Sequence, residues 1–305
     1  MLTLNNRLLL EPQMRLSPDQ IEAFHRDGYV VSRQVLTDTD LNPLIEDFNA
    51  LIETVAKRLF DEGAIRNTHA DDPFDRRIAS LTAEAGKSLQ SQVSFPVNLR
   101  PRMFDFLHTP NLLDAVESLV GLEIYCNPTH HVRPKLPEAI GASDWIQRSP
   151  VHQDAAVLLP EADETLIVTT WIPLVDATEK NGTLQVYPRL HTGPIRTHEK
   201  CPYGWTITDA EMPTDTPLTI PVNRGDVIFI HCRTPHSSTL NRSDRVRWSL
   251  DLRWHDARKP AGRPFPGLLV RSREKPLTAY DAWVKAWAEV QADTRPRTLY
   301  RWPLS

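Results

Sequence analysis

At Glu123 the spacing of apolar residues changes, and that change limits the fold more than any other feature of the chain. Before it, apolar residues recur at helical spacing. After it, they alternate with polar ones at a period of about two, the signature of strands. Eight strand-like runs follow, over 123–133, 150–158, 165–174, 183–188, 217–222, 226–231, 236–240 and 245–254. Pro, Gly, Asn and Asp punctuate them. No helix-length segments separate them, so the pattern points to a jelly roll or barrel and not to βαβ units.

Helices are expected on both sides of this core. Ser17-Pro18-Asp19-Gln20 combines a helix cap, a proline at the first helical position and a capping-box glutamine. Gly28 ends that helix, and Tyr29-Val30-Val31 reads as a short strand. A long helix is predicted from about Leu41 to Glu62, with Leu44, Phe48, Ile52, Val55 and Leu59 in one apolar stripe. Residues 65–78 read as a polar loop, and 111–119 as a further helix. Helix returns over Leu277–Val290, with Tyr280, Trp283, Val284 and Trp287 on one face packed against the sheet. The reading is a single domain over 1–305. Its helical part covers about 16–120, its β core about 123–255 and its C-terminal helical extension about 277–292.

Glycine usage removes several chemistries. The chain has 11 glycines, and no two lie closer than Gly262 and Gly267. A GxGxxG dinucleotide loop and a GxSxG nucleophile elbow are therefore impossible. Gly262 and Gly267 have P-loop spacing, but Leu268 and Leu269 follow instead of Lys and Ser/Thr. A net charge of −4 argues against a protein built to hold nucleic acid or an anionic membrane. No apolar stretch reaches the length of a membrane span, and no secretory signal is apparent. Cys126, Cys201 and Cys232 form no CxxC and no even disulfide framework, so a reducing, cytoplasmic home is expected.

Whatever chemistry the chain carries must come from other residues, and one candidate is a set of metal ligands. Side chains at i and i+2 on a strand share a face, and His152-Gln153-Asp154 has that form. Two other His-x-Asp tripeptides fit less well. His25 and Asp27 sit in a predicted helix, where i and i+2 diverge, and His69 and Asp71 sit in a polar loop. A facial triad needs one more histidine from another strand. His236 is the candidate, after the strand Asp226–His231, and His231 competes with it. Either could instead be a hydrogen-bonded structural histidine. In the run Arg245–Arg253, one strand face is Val, Trp, Leu and Leu, and the other is Arg, Arg, Ser, Asp and Arg. The polar face either meets water or lines a cavity. In a cavity, Arg247 and Ser249 would hold a carboxylate.

Taken together these residues resemble the phytanoyl-CoA dioxygenase (PhyH-like) family of Fe(II)/2-oxoglutarate-dependent oxygenases. The resemblance runs from Phe24-His25-Arg26-Asp27-Gly28-Tyr29-Val30-Val31 through Val151-His152-Gln153-Asp154 and Trp171-Ile172-Pro173-Leu174. It continues over Asn181-Gly182-Thr183-Leu184-Gln185-Val186-Tyr187-Pro188, then Gly225-Asp226, His236, Asn241 and Arg247. Arg189 and Leu190 stand where the family has glycine and serine, a departure that bears on one turn and on no metal ligand. The resemblance implies a mainly β fold: a double-stranded β-helix (jelly-roll, cupin-like) core flanked by N-terminal helices and a C-terminal helix. It implies Fe(II) on His152, Asp154 and His236, with 2-oxoglutarate and O2 as co-substrates. Arg247 and Ser249 would take the distal carboxylate of 2-oxoglutarate, and Trp171 would line its pocket or simply belong to the core. Related halogenases carry a small residue in place of Asp154, so the carboxylate favours hydroxylation or a related oxidation such as desaturation.

The prime substrate is expected to be a small molecule. Prolines at 134, 137 and 150 place the segment after His131 in a loop at the barrel mouth. There His131, Arg133, Lys135, Arg148 and Trp145 would suit a carboxylate or phosphate beside an apolar body, unless the segment is only a solvated basic loop. Two other readings compete. One is a non-catalytic cupin-type binding barrel, which would leave Arg247 and Ser249 with nothing to hold. The other is the same oxygenase acting on a macromolecular side chain.

Overall fold

Ser17 starts the first helix as its sequence requires. In the computed structural model, which describes residues 14–94, 97–141, 149–202 and 204–302, its hydroxyl accepts from the Gln20 N–H at 3.2 Å. The Gln20 side chain returns the bond to the Ser17 N–H at 2.9 Å. Helix α1 (Pro18–Asp27) ends at Gly28, where φ is +80°. A Cβ there would lie 2.5 Å from His191 Nδ1 and Thr234 Oγ1, so this turn admits glycine alone. Strand β1 (Tyr29–Ser32) and helix α2 (Asp38–Asp61) follow, α2 burying the predicted stripe.

Two further helices were not legible in the pattern. Part of the expected loop over 65–78 is helix α3 (Phe74–Ala85). Its inward face includes Arg77, a polar residue that hides the stripe, buried because it donates to Glu53 and to the Thr68 carbonyl. Helix α4 (Pro101–Leu107) then precedes α5 (Pro110–Val120).

The β half contains β2 (Ile124–Cys126), β3 (His131–Lys135), helix α6 (Glu138–Gly141), β4 (Val168–Pro173) and β5 (Leu184–Val186). Next come β6 (His198–Cys201), β7 (Gly204–Ile207), β8 (Leu218–Ile220), β9 (Val227–His231) and β10 (His236–Ser238). The last elements are β11 (Arg247–Asp256), β12 (Leu268–Arg271) and α7 (Tyr280–Ala292). Every strand pair is antiparallel. One large sheet runs β1-β9-β4-β11-β2-β12, with β3 also on β11. A smaller sheet runs β10-β5-β8, and His152 bridges to His236 at its edge. Trp171, Ile228 and Ile230 of the large sheet meet Leu184, Val186 and Ile220 of the small one. This two-sheet packing is the jelly roll that the alternation implied.

Three expectations need correction. The run 123–133 is two strands. The first ends before Asn127, whose N–H still bonds to the Arg253 carbonyl of β11 while its side chain donates to the Ala261 carbonyl and accepts from the Thr129 N–H. The run 150–158 is not a strand: His152 makes a single bridge, and Asp154–Val157 form one 3-10 turn because the Ala155 N–H bonds to the Cys232 carbonyl. The segment after His131 is not a loop throughout. It opens with β3, which tolerates Pro134 because its second edge is unpaired within the sheet.

Strand β11 separates the two halves of the molecule. Its apolar face is Trp248, Leu250, Leu252 and Trp254, all fully buried. Trp248 stacks on Phe48 of α2 and Phe74 of α3, with centroids 5.8 and 4.7 Å away. The polar face, Arg247, Ser249, Asp251 and Arg253, turns between the sheets and is also buried. The alternative of a solvated face is therefore excluded. Arg189 keeps the left-handed turn at φ +68° without glycine. Its N–H and guanidinium both bond to Asp27, which holds the strained backbone. No helix among the described residues is long and apolar enough to cross a membrane.

Candidate metal centre

Three donors converge at one end of the space between the sheets. The ligand atoms of His152, Asp154 and His236 lie within 4.8 Å of one another. The bridge between residues 152 and 236 puts the two imidazoles side by side, with ring centroids 4.3 Å apart. Each ring has its Nδ1 within bonding distance of a carbonyl, Pro150 at 2.8 Å and Thr234 at 3.0 Å. Those bonds orient the rings and leave each Nε2 lone pair for a metal. Burial, reinforced by His236, pushes the His152 pKa down to about 3, so the ring is neutral and able to ligate.

Asp154 is brought to the same point by the 3-10 turn. Burial alone would raise its pKa, but the Arg253 guanidinium on Oδ1 holds its carboxyl well below the usual carboxylate range. Thr169 of β4 donates to the other oxygen. A buried carboxylate and two imidazoles on one side of a cavity could hold a single divalent ion and leave its other face open.

The competing residues lie elsewhere. His231 packs on Phe24 and His191 and accepts from the Arg233 N–H. Arg245 is outside β11 and pairs with Asp75. Arg247 lies inside, 2% exposed. It donates to Ser249, sits 5.0 Å over the Trp171 ring, and keeps a buried Nε without a partner. No carboxylate pairs with it among the described residues. Burial lowers its pKa to about 10, only partly offset by the nearby Asp251 carboxylate. A guanidinium, a hydroxyl and an aromatic wall so arranged suit an incoming carboxylate.

His152, Asp154, His236, Trp171 and Arg247 all line one cavity of about 460 Å³. His131 and Arg133 line it too, Arg133 paired with Asp251. Lys135 does not reach the mouth. It is fully buried across the barrel, donating to Ser238 and to the Thr239 carbonyl. Trp145 and Arg148 lie outside the described residues. Sequence reasoning missed Arg253 as the partner of Asp154, and it missed Trp205, Arg263 and Tyr300 on the outer wall.

An open-faced two-histidine, one-carboxylate site beside an unpaired guanidinium is what a redox metal and a 2-oxo acid together need. The chain is thus an Fe(II)/2-oxoglutarate-dependent dioxygenase by class. The family model for phytanoyl-CoA dioxygenase (PhyH) matches residues 24–249, and the chain belongs to that family. A bovine phytanoyl-CoA dioxygenase domain-containing protein 1 is 36% identical over 262 residues, covering 76% of this chain and 87% of that one. A probable phytanoyl-CoA dioxygenase of Caenorhabditis elegans is 22% identical over 249 residues, covering 78% and 75%. Among solved structures, the apo non-heme monooxygenase ThoJ superposes with a TM-score of 0.61 at 20% identity, covering 90% of this chain and 96% of that one.

Proposed function

We propose that this chain oxidises a C–H bond of a small organic molecule, with His152, Asp154 and His236 holding the iron and Arg247, Ser249 and Trp171 holding the far carboxylate of 2-oxoglutarate. When bound, iron, 2-oxoglutarate and O2 supply the oxidising chemistry, and 2-oxoglutarate leaves as succinate and CO2. The observation that carries the reading is the shared cavity: three metal donors within 4.8 Å and an unpaired buried guanidinium open onto the same space.

The residues divide the work. The two carbonyl-anchored imidazoles fix where the metal sits. Arg253 and Thr169 keep Asp154 ionised and aimed. Arg247 fixes the co-substrate by its distal end, so the oxo-acid end is presented toward the donors. The apolar walls exclude water from the reacting centre. Asp154 supplies the carboxylate that hydroxylation or desaturation requires. Three unpaired cysteines fit a reducing, cytoplasmic setting.

The test is 2-oxoglutarate consumption in the separate variants His152→Ala, Asp154→Ala, His236→Ala and His231→Ala. The first three should lose turnover, since each removes one of three ligands, and His231→Ala should retain it. A dead His231→Ala beside an active His236→Ala would overturn the ligand assignment.

A further inference from the structure

Part of the cavity wall is made by residues that follow the family-matched span. Arg263, Phe265, Trp287, Leu299 and Tyr300 line it, and all lie beyond residue 249. The shared part of the chain supplies the metal donors and Arg247. The appended part supplies a wall of different chemistry.

This wall is tied to the metal-binding segment. Arg263 Nη1 donates to the carbonyls of Val157 and Leu299, at 2.8 and 2.6 Å. Arg301 donates to the Leu158 carbonyl and pairs with Asp163. Trp302 stacks on His198, whose Nε2 accepts from the N–H of Gln153, the residue between two of the metal donors. The wall therefore stands in fixed register with the donors.

Its chemistry is aromatic and cationic. The Arg263 guanidinium lies 5.4 Å from the rings of both Phe265 and Tyr300. Trp205 of β7 packs on Tyr300 at 5.5 Å, and Phe265 stacks on Trp287 at 5.5 Å. Four arginines line the cavity. Asp251 pairs with Arg133 and Asp154 with Arg253. Arg247 is committed to 2-oxoglutarate under the function proposed above. Arg263 has no acidic partner among the described residues; the Tyr300 side chain bonds to it, and its Nε is buried and unpartnered. A stacked guanidinium with an unused edge donor recognises an oxyanion, and aromatic rings beside it favour a flat apolar body.

We propose that this C-terminal wall binds the substrate to be oxidised, and that the substrate is an organic anion with a flat, apolar body, its carboxylate or phosphate held by Arg263. This rests on reading the same cavity as the oxygenase site.

The test is calorimetric titration of the anaerobic enzyme, loaded with Fe(II) and 2-oxoglutarate, with indole-3-acetate, 2-naphthyl phosphate and the neutral indole-3-acetamide. At least one anion should bind about tenfold or more tighter than the amide. Whichever anion binds more tightly identifies the source as carboxylate or phosphate. Arg263→Gln should abolish the preference, and Arg263→Lys should retain part of it. Arg258→Gln, at an exposed pair with Asp256, should leave it unchanged. If Arg263→Gln does not fold, Trp205→Leu and Tyr300→Leu should each weaken the acid and the amide alike by several-fold. Equal affinities in the wild type, no binding of any probe at millimolar concentration, or a preference that survives Arg263→Gln would overturn the proposal. Loss of the Fe(II)/2-oxoglutarate absorption band in the wild type would instead overturn the reading of the cavity beneath it.

Discussion

Replacing Arg247 with Met should separate function from stability. The guanidinium is buried against Ser249 and Trp171, and among the described residues no carboxylate forms an ion pair with it. Burial pushes its pKa down from the usual guanidinium range to about 10. A shift of that size corresponds to a cost on the order of 3 kcal/mol for holding the charge there. Met removes that cost, and it also removes a cation–π contact of about 1 kcal/mol and a hydrogen bond of about 1 kcal/mol. The apo protein should therefore be as stable as wild type, or about 1–2 kcal/mol more stable. The co-substrate should suffer the opposite fate. Losing a charge-assisted, buried pair costs about 2–5 kcal/mol, or roughly 30- to 4,000-fold in the KM for 2-oxoglutarate. Thermal unfolding of the apo protein and steady-state kinetics at varied 2-oxoglutarate read the two effects separately. An apo Tm that drops clearly while the KM stays put would refute the reasoning and make Arg247 a structural residue.

Other perturbations follow from the same geometry. Arg253→Gln strands the buried Asp154, so apo stability should fall by about 3–5 kcal/mol; a divalent ion should restore much of it, and equal Tm losses with and without metal would argue that Arg253 does not act through Asp154. Burial holds His130 and His255 neutral with pKa values near 4, against 6.5 when unfolded. The unfolded chain then binds more protons below pH 6.5, so unfolding free energy should be flat above that value and fall steadily toward pH 4, by up to about 3 kcal/mol per histidine; denaturant titrations showing no slope in that window would contradict it. Gly28→Ala forces a Cβ to within 2.5 Å of His191 and Thr234 at positive φ, whereas Gly86→Ala meets only open space at φ +64°. The first should cost well over the ~1 kcal/mol of the second in chemical denaturation.

The sequence held the architecture where one period dominated. Alternation across β11 separated a face that packs on helices from a face that lines the cavity, and the structure puts Trp248 and Arg247 on those sides. The clustering of His152, Asp154 and His236 was legible too, but for an incomplete reason. Residues 152 and 154 do not share a strand face; a bridge and a 3-10 turn bring them together, and backbone bonds to Cys232 and His236 decide this. Helix α3 was obscured because its buried Arg77 is satisfied by Glu53, a partner far away in sequence. Strands β6, β7 and β12 are short, and no long alternation announces them. The outer wall was illegible for a similar reason. Arg263, Phe265 and Tyr300 meet only through tertiary contacts of an irregular tail, where no periodicity operates.

The central claim is that His152, Asp154 and His236 hold iron in a cavity where Arg247 presents 2-oxoglutarate to it. Anaerobic titration of the purified chain with Fe(II) and then 2-oxoglutarate tests it most directly. A weak visible charge-transfer band should appear only when both are present, saturating at one equivalent of iron, and it should vanish in Asp154→Ala and in His236→Ala. A wild-type chain that shows no band with both ligands, or a band that persists in those two variants, would contradict the account.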